Sequence, residues 1–353
     1  MSTGDMQKRR ISGYGVQVGS LKPGPRNKIT DVPGVRVGHC TLDEGPLRTG
    51  VTVIEPGGGN PFFAKPVAAV HVLNGYGKSL GLMQIQELGV LETPIALCGT
   101  LNVGLVHDAL VQLMLERCAG GGKHITSINP VVCECNDGKL SDIAQRPVRL
   151  EHVRAATEGA GVDFAEGSVG AGRGMICHGL KGGIGSASRI VKMDGVAYTV
   201  GLLALANHGR MADLMIAGKP AGRAAHALLH PQETPERGSI IMVIATDLPV
   251  DSRQLGRILS RASVGLARLG SYIGHGSGEV MVGFTTANTM PFEEGPAVIA
   301  TRILREDLLD EAFRAVAECC EEAVLNALVC AETTVGYQGD RVVSLADIYA
   351  EVM

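Results

Sequence analysis

The sequence contains no tryptophan, and aromatic residues account for only 3% of its 353 positions. Glycine is abundant by contrast, with 48 residues. Packing must therefore depend on aliphatic side chains and on the close approach of main-chain segments that glycine permits. A composition of 45% hydrophobic and 19% charged residues indicates a globular protein and favours closely layered sheets and helices.

Long apolar runs and a strong charge of either sign are also missing. No window reaches the roughly 18 apolar residues that a membrane-spanning helix needs, so we expect no membrane partner. The formal net charge is −4, which gives no support to a nucleic-acid partner. The basic residues near the beginning are not followed by an apolar segment, and we expect no secretory signal and a cytoplasmic protein.

Familiar metal-binding spacings are absent as well. The nine cysteines are an odd number without paired C-x-x-C motifs. Cys133 with Cys135, and Cys319 with Cys320, are too sparse for a zinc ribbon. None of the ten histidines belongs to an H-E-x-x-H motif. We therefore expect buried reduced thiols, no metal and no cofactor.

Two well-known motifs are incomplete in this sequence. The segment Gly75–Ser79 resembles the end of a phosphate-binding loop, but Val72 stands where that loop needs a glycine. The hydrolase motif G-x-S-x-G fails around Ser277, because His275 replaces the first glycine. His275 is either a partner of Ser277 or a solvated loop histidine. The glycine-rich region from Gly167 to Arg189 lacks the context of a dinucleotide site, and we interpret it as main chain that shapes a pocket.

Apolar segments predict most of the regular structure. We expect strands near residues 35–39, 50–56, 66–73, 94–98, 128–135, 196–207, 240–247 and 280–288. We expect helices after residue 77, at about 105–117, over 252–270, at about 305–331 and after residue 344. The stretch from about Met211 to Pro235 is interpreted as an exposed linker.

Polar side chains recur at the ends of these predicted buried strands, namely Glu134, Asn207, Ser239, Ser277 and Glu279. Each alone would be an ordinary strand-end residue. Together they supply a nucleophile, an amide donor for an oxyanion, and a serine and a carboxylate that can relay a proton. A buried carboxylate is costly without partners, so Glu134 should meet a cation or several donors, with a structural salt bridge to an arginine as the alternative.

Ser239 has the most unusual position of this set. It follows Gly238 directly and precedes the apolar run Ile240–Ala245. With an intact chain, its hydroxyl has no base beside it. Cleavage of the Gly238–Ser239 bond would place an α-amine, with a pKa of about 7.7–8.0, next to that hydroxyl and so create nucleophile and base together. Gly-Ser is a common dipeptide, and a strand-initiating serine is often a turn residue, so both interpretations stay open.

Several separated motifs resemble the L-aminopeptidase/D-esterase family, also described as DmpA-like or β-aminopeptidases, across nearly the whole chain. The similar stretches are Ile29–Val35, Val37–His39, Arg48–Thr52, Gly167–Gly172, Arg237–Ile241 and Gly276–Glu279. The resemblance implies a four-layer α/β/β/α sandwich and a single domain over residues 1–353. It also implies self-cleavage at Gly238–Ser239 into an α chain of residues 1–238 and a β chain of residues 239–353.

The same resemblance implies roles for individual residues. Ser239 would be the nucleophile, with its freed amine as base, and Asn207 would donate to the oxyanion. Ser277 and Glu279 would be the supporting pair, and Glu134 would anchor the free amine of the substrate. Better-known members are expected to carry an aromatic hydroxyl just after this anchor. Here that region holds Asn136 and Lys139, so Asn136 is taken as a substrate-binding position and the side-chain preference stays open.

The predicted function is a self-processing serine aminopeptidase. It would hydrolyse N-terminal residues from short peptides, amino-acid amides and esters through an acyl-enzyme, and its αβ units would form a homo-oligomer such as a tetramer. Two alternatives remain. One is an acyl transferase like the ornithine acetyltransferases, which use a threonine nucleophile. The other is a non-catalytic binding protein with the same fold.

Overall fold

The computed structural model describes residues 10–120, 125–231, 237–292 and 297–353. The basic stretch Met1–Arg9 lies outside the described residues. Pro235 and Glu236, which precede the proposed cleavage site, also lie outside them, as does the side chain of Arg237.

The strands form two main sheets. In chain order they are β1 (Arg36–Leu42), β2 (Thr49–Glu55), β3 (Ala64–Gly75), β4 (Ile95–Gly99), β5 (Val131–Cys135), β6 (Ile176–Cys177), β7 (Leu180–Lys181), β8 (Gly183–Met193), β9 (Val196–Asn207), β10 (Arg237–Thr246), β11 (Gly276–Pro291), β12 (Thr334–Val335) and β13 (Arg341–Val342). One sheet has the order β1-β2-β4-β5, and the other has the order β3-β11-β10-β9-β8. Strands β6 and β7 pair with each other, as do β12 and β13.

The helices are α1 (Leu82–Leu88), α2 (Val103–Ala119), α3 (Leu150–Glu158), α4 (Ala221–Leu229), α5 (Ser252–Ser260), α6 (Ala262–Arg268), α7 (Asp310–Val329) and α8 (Leu345–Val352). Within the described ranges, none of them combines the length and apolar character that crossing a bilayer would require.

Three apolar clusters show how these elements are layered. One lies between the two sheets and includes Ile54, Leu97, Val131, Leu205 and Val243. A second lies between the β1-β2-β4-β5 sheet and helices α2 and α3. The third lies between the other sheet and helices α5, α6 and α7. The predicted four-layer α/β/β/α sandwich is therefore confirmed.

Strand β10 is central in its sheet and covered on both faces, which explains its continuous apolar sequence. Ile240, Met242 and Ile244 belong to the cluster under the helices. The alternate residues Ile241 and Val243 belong to the cluster between the sheets. Because successive side chains of a strand point to opposite faces, this assignment fixes the register of β10, and with it the position of Ser239 at its beginning.

Two predicted helices differ from the structure. The expected helix over residues 252–270 is broken at Arg261, whose N–H bonds back to Ile258 and Leu259. This break lets α6 lie close to α7, since a Cβ at Gly265 would come within 2.6 Å of the Cys320 side chain. The last long helix is shorter than expected and begins at Asp310.

The stretch from about Met211 to Pro235 was predicted to be an exposed linker. This prediction was wrong for the residues up to Leu229, the end of α4. Leu214, Ile216, Ala221 and Ala225 are buried there, because their apolar side chains join the cluster under the second sheet. The helical spacing of Ala221 and Ala225 is four residues, which places both on one face of α4. Small alanines give a weak apolar signal in the sequence, and this explains the error.

Strand β8 was not predicted, because its region had been interpreted as pocket-shaping main chain. A Cβ at Gly185 would lie only 1.9 Å from Ala323 O of α7. Glycine at this position permits the helix to pack directly on the strand backbone. Arg189 of the same strand is buried and pairs with Glu318 and Glu322 of α7, at 2.9 Å and 2.7 Å.

Candidate active site

Ser239 lies between the ends of two neighbouring strands. It is opposite Asn207 of the antiparallel strand β9 and opposite Gly278 of the parallel strand β11. The side chain is 7% exposed and borders a cavity of about 860 Å³. This size lies within the range of sites that hold small molecules.

The Gly238–Ser239 bond is intact in the structure, and the hydroxyl of Ser239 donates a hydrogen bond of 2.7 Å to the carbonyl of Gly238. The predicted nucleophile therefore lies against the bond that is predicted to break. Close packing requires glycine both at position 238, before Ser239, and at position 278, opposite Ser239. A Cβ at Gly238 would lie 2.2 Å from Asn207 O, and one at Gly278 would lie 2.6 Å from Tyr76 O and 3.1 Å from Ser239 Oγ.

Ser277 and Glu279 flank Gly278 on β11 and are both fully buried. The Ser277 hydroxyl donates to the Glu279 carboxylate through a short hydrogen bond. The Ser277 main chain is held in turn, because its N–H donates to Gly274 O at 3.0 Å. The strand register thus places Ser277 and Glu279, the predicted supporting pair, on either side of Gly278, which is opposite Ser239. Their hydrogen bond joins a hydroxyl to a buried carboxylate that can carry a negative charge.

Glu134 is the second-to-last residue of strand β5 and is 3% exposed. Its carboxylate accepts a hydrogen bond of 2.9 Å from the Lys78 main-chain N–H and a short one from the Thr100 hydroxyl. The several-donor expectation therefore holds in the structure. In the described part of the chain, the bonds to Glu134 come from these neutral groups rather than from an arginine. Glu134 therefore lines the cavity with a carboxylate whose donors, Lys78 N–H and the Thr100 hydroxyl, carry no charge.

The segment Gly75–Ser79 does not match a phosphate-binding loop, but in the structure it contacts the carboxylate of Glu134. A Cβ at Gly77 would lie 3.3 Å from the Glu134 carboxylate, so glycine leaves room for the loop to come close. The loop then presents the N–H of Lys78 to that carboxylate. Main-chain donors of this kind stabilise an ionised carboxylate without neutralising it.

Asn207 has its side-chain amide fixed at both ends. Its Oδ1 accepts from the N–H of Ile176 at 2.8 Å, and its Nδ2 donates to the main-chain oxygen of Asn136 at 3.2 Å. An amide nitrogen has two hydrogens, so one donor of Asn207 remains for a group in the cavity. That arrangement is suited to stabilising an oxyanion that forms next to Ser239.

Asn136 is exposed and lines the cavity, but its bonds in the structure are structural. Its Oδ1 accepts from the N–H of Gly138 at 2.9 Å. Its main-chain oxygen is the group that orients Asn207. Asn136, the predicted substrate-binding position, therefore lies at the site. Its main chain, rather than its side chain, contacts Asn207, the candidate oxyanion donor.

Asp137 was missed by the sequence interpretation. It is 1% exposed, accepts a hydrogen bond from the Thr49 hydroxyl, and has one carboxyl oxygen without a partner in the described part of the chain. Burial, with a smaller contribution from the nearby charge of Glu134, raises the pKa of Asp137 to about 6. The signal was an acidic residue three positions after Glu134 at the same strand end.

His275 lines the cavity, and its ring lies 6.4 Å from that of Tyr76. The Ser277 hydroxyl bonds to Glu279 instead, so the structure does not support a pairing of Ser277 with His275. Other cavity residues that the sequence did not single out as site residues include Tyr76, Lys78, Thr100, Arg210 and Tyr272. They come from loops distant in sequence, and no local pattern connects them.

The glycine-rich segment Gly167–Gly174 is not part of the cavity wall formed by the described residues. A Cβ at Gly170 would lie 2.5 Å from the Thr52 side chain, and one at Gly172 would lie 2.6 Å from Ile184 N. These glycines therefore allow close packing against β2 and β8. In the same region, Gly179 does line the cavity, so the pocket-shaping interpretation holds at Gly179 and was wrong for Gly170 and Gly172.

The expected buried thiols are present. Cys133, Cys135, Cys319 and Cys320 are fully buried. Burial raises the pKa of the Cys133 and Cys319 thiols to about 12, so they stay protonated and unreactive near neutral pH.

The model of Peptidase family S58 matches residues 27–342 of this chain. A relative described as β-peptidyl aminopeptidase BapA, from Sphingosinicella microcystinivorans, is 38% identical over 342 residues, which cover 90% of this chain and 85% of that protein.

Two solved structures are also similar. The PH0078 protein from Pyrococcus horikoshii OT3 is 45% identical, with a TM-score of 0.92 and 98% of each chain covered. The L-aminopeptidase D-Ala-esterase/amidase from Ochrobactrum anthropi is 34% identical, with a TM-score of 0.88, and the match covers 98% of this chain and 100% of that one. The latter is described as a prototype of the serine aminopeptidases and a new variant among the Ntn hydrolase fold.

Proposed function

Because the chain belongs to peptidase family S58, we propose that it is a self-processing serine aminopeptidase acting on short peptides, amino-acid amides and esters. One observation carries this proposal. Ser239 lies near the start of a central strand, its hydroxyl lies 2.7 Å from the carbonyl of Gly238, and it borders a cavity shared with the carboxylate of Glu134 and the amide of Asn207. The similar proteins named above as aminopeptidases favour hydrolysis over the acyl-transferase alternative.

Self-cleavage would convert the precursor into the active enzyme. The Ser239 hydroxyl attacks the carbonyl carbon of Gly238, the C–N bond breaks, and the Ser239 nitrogen takes up a proton as the leaving amine. Water then hydrolyses the resulting ester to a carboxylate on Gly238 and a free hydroxyl on Ser239. The products are residues 1–238 and 239–353.

Substrate binding would depend on Glu134. A protonated amine entering the cavity meets a buried carboxylate that the described structure bonds to Lys78 N–H and Thr100 Oγ1. Such a charge pair, shielded from water, is stronger than one at an exposed surface. It also sets the position of the first residue of the peptide, so that its carbonyl is the one presented to Ser239.

Catalysis would follow from the residues around Ser239. Its α-amine removes the hydroxyl proton, and the oxygen attacks the substrate carbonyl. Asn207 donates its remaining N–H to the developing oxyanion, and the Ser277–Glu279 pair orients the amine and relays the proton. The leaving amine takes that proton as the acyl-enzyme forms, and water then releases the acyl group and restores Ser239.

The decisive experiment combines intact mass spectrometry under denaturing conditions with hydrolysis of amino-acid p-nitroanilides. Wild-type protein should give two species, with Ser239 as a new N-terminus, and should hydrolyse the substrates. Ser239→Ala should give one uncut and inactive chain. An active Ser239→Ala protein would overturn the proposal. A folded wild-type chain that remains uncut and inactive would favour a non-catalytic binding protein.

We also propose that the cleaved αβ units assemble into a homo-oligomer, such as a tetramer, and act in the cytoplasm. The first part follows from the family resemblance, and light scattering after size exclusion tests it by giving the mass of the assembly. The second part follows from the cysteine usage. Cell fractionation with an antibody against the protein tests that location.

A further inference from the structure

Three metal-ligating side chains lie together outside the proposed mechanism. Cys177, His178 and His208 are all buried, with 0%, 0% and 1% exposure. One donor atom from each lies within 4.8 Å of the others. Asn207 and Ile176 line the cavity. His208 directly follows Asn207 and Cys177 directly follows Ile176, so the cluster lies behind the cavity wall.

The backbone holds the two histidines in fixed positions. The N–H of His178 donates to the carbonyl of His208 at 2.6 Å, and His178 has a left-handed φ of 48°. Gly209 also has a left-handed φ, and a Cβ there would come within 2.5 Å of the His178 ring. A left-handed φ is unusual for a residue other than glycine, so this local geometry places the imidazole of His178 against the segment that follows β9.

The hydrogen bonds of His178 define its tautomer. Its Nδ1 lies 2.9 Å from the carbonyl of Arg210, which can only accept, so Nδ1 carries the proton in the neutral ring. Nε2 then carries a lone pair and has no partner among the described residues. This pattern, with one ring nitrogen bonded to a carbonyl and the other available, is the usual arrangement of a histidine that binds a metal.

His208 faces the sulfur with its other ring nitrogen. Its Nδ1 lies close to Cys177 Sγ, so Nδ1 would bind the ion, and Nε2 would keep the hydrogen of the neutral ring. The unpartnered buried atom that an ion would satisfy is therefore Nε2 of His178, and buried polar atoms without partners are uncommon.

The separation between sulfur and nitrogen matches a metal site. Cys177 Sγ lies 3.7 Å from His208 Nδ1. A tetrahedral ion with bonds of about 2.3 Å to sulfur and about 2.1 Å to nitrogen would hold these two atoms about 3.6 Å apart. The pair therefore needs almost no movement to bind such an ion. A thiolate with two imidazoles is a donor set for zinc and copper, and it disfavours magnesium and calcium, which prefer oxygen ligands.

We propose that Cys177, His178 and His208 form a structural binding site for a thiophilic d10 cation, either Zn²⁺ or Cu⁺. This inference goes beyond the peptidase activity and does not depend on it. The ion would join strand β6 to the end of β9 and so stabilise the wall of the cavity that carries Asn207. Because the site is buried, loading would accompany folding.

The test uses full-length, tag-free protein from cells grown with added zinc, copper or cobalt. Mass spectrometry of the dialysed protein should find about one ion per chain, and the zinc and copper cultures identify the preferred ion. The cobalt protein should show thiolate-to-metal charge-transfer absorption. Less than about 0.1 ion per chain in all three cultures would overturn the proposal.

Two variants distinguish this cluster from other thiols. His178→Asn removes the imidazole but keeps a residue that tolerates a left-handed φ, and its metal content should fall at least about tenfold. Cys40→Ser, at a half-buried cysteine outside the cluster, should retain the wild-type metal content. Equal metal content in His178→Asn and the wild type contradicts the proposal. If His178→Asn does not fold, the wild-type cobalt spectrum decides, since its charge-transfer band must disappear in Cys177→Ser and persist in Cys40→Ser.

Discussion

Ser239 and Asn207 lie directly opposite each other in the antiparallel pairing of β10 and β9. The register that pairs them also pairs Ile240 with Ala206 and Ile241 with Leu205, and these are buried core residues. A slip of one residue would turn every side chain of β10 to the wrong face. Packing of the core therefore secures the distance between the proposed nucleophile and the proposed oxyanion donor.

The first prediction concerns Asn207. Asn207→Ala should lower kcat by about 10²–10³-fold, because the oxyanion loses its side-chain donor. Asn207→Asp is the matched control, since it keeps an oxygen to accept from Ile176 N–H but offers no N–H. We expect it to be as slow as the alanine variant in steady-state assays. An Asn207→Asp enzyme with wild-type kcat would show that the amide donates nothing to the transition state.

The second prediction concerns Glu134. Glu134→Gln should lower kcat/KM by roughly 10²-fold, equivalent to about 2.7 kcal/mol, because a protonated substrate amine loses its buried counter-charge. The matched control is Glu87→Gln, at an exposed position of α1, which should leave both constants unchanged. Self-cleavage involves no substrate amine, so it should proceed in both variants. Equal kcat/KM for Glu134→Gln and wild type would exclude this anchor.

The third prediction concerns Gly278. Gly278→Ala should slow or block self-cleavage, since the added Cβ lies 2.6 Å from Tyr76 O and 3.1 Å from Ser239 Oγ. The matched control is Gly104→Ala in helix α2, where a Cβ meets nothing within 4 Å. It should stabilise the chain by roughly 0.5–1 kcal/mol and cleave normally. A time course of intact mass after expression measures both, and normal cleavage of Gly278→Ala would contradict the packing argument.

The fourth prediction concerns the pH dependence of stability. Burial raises the pKa of Asp137 from 3.8 to about 6, so its protonated form favours the folded chain. The stabilisation is fully present below about pH 3.8 and is lost as the pH rises through about 6. Asp137→Asn, which cannot ionise, should therefore have a higher Tm than wild type at pH 8, by an amount equivalent to at most about 3 kcal/mol.

That advantage should disappear near pH 3.5, where the wild-type carboxyl is protonated as well. Thermal unfolding of both proteins at pH 3.5, 6 and 8 tests the expected trend. Using the Ser239→Ala background keeps the chain uncut at every pH. A Tm difference that does not change with pH would show that folding does not shift the pKa of Asp137.

Much of this protein could be predicted from local patterns. The continuous apolar run after Ser239 predicted a buried strand, and β10 is such a strand. The polar residues at strand ends predicted a shared site, and the register brings Ser239, Asn207 and Gly278 together. The separated motifs pointed to the family that the comparisons then confirmed. These features depend on residues close in sequence, whose periodicity records which faces are buried.

The tertiary structure alone decided the rest. The donors of Glu134 come from Lys78 and Thr100, and the cluster of Cys177 and His178 with His208 joins residues about 30 positions apart. Helix α4 is buried within the expected linker. Such contacts depend on how sheets and helices pack, and no local spacing encodes them. The sequence by itself determined the layers and the strand that presents Ser239. Packing between distant segments decided which groups surround Ser239, because hydrogen bonds and burial form only when those segments come into contact.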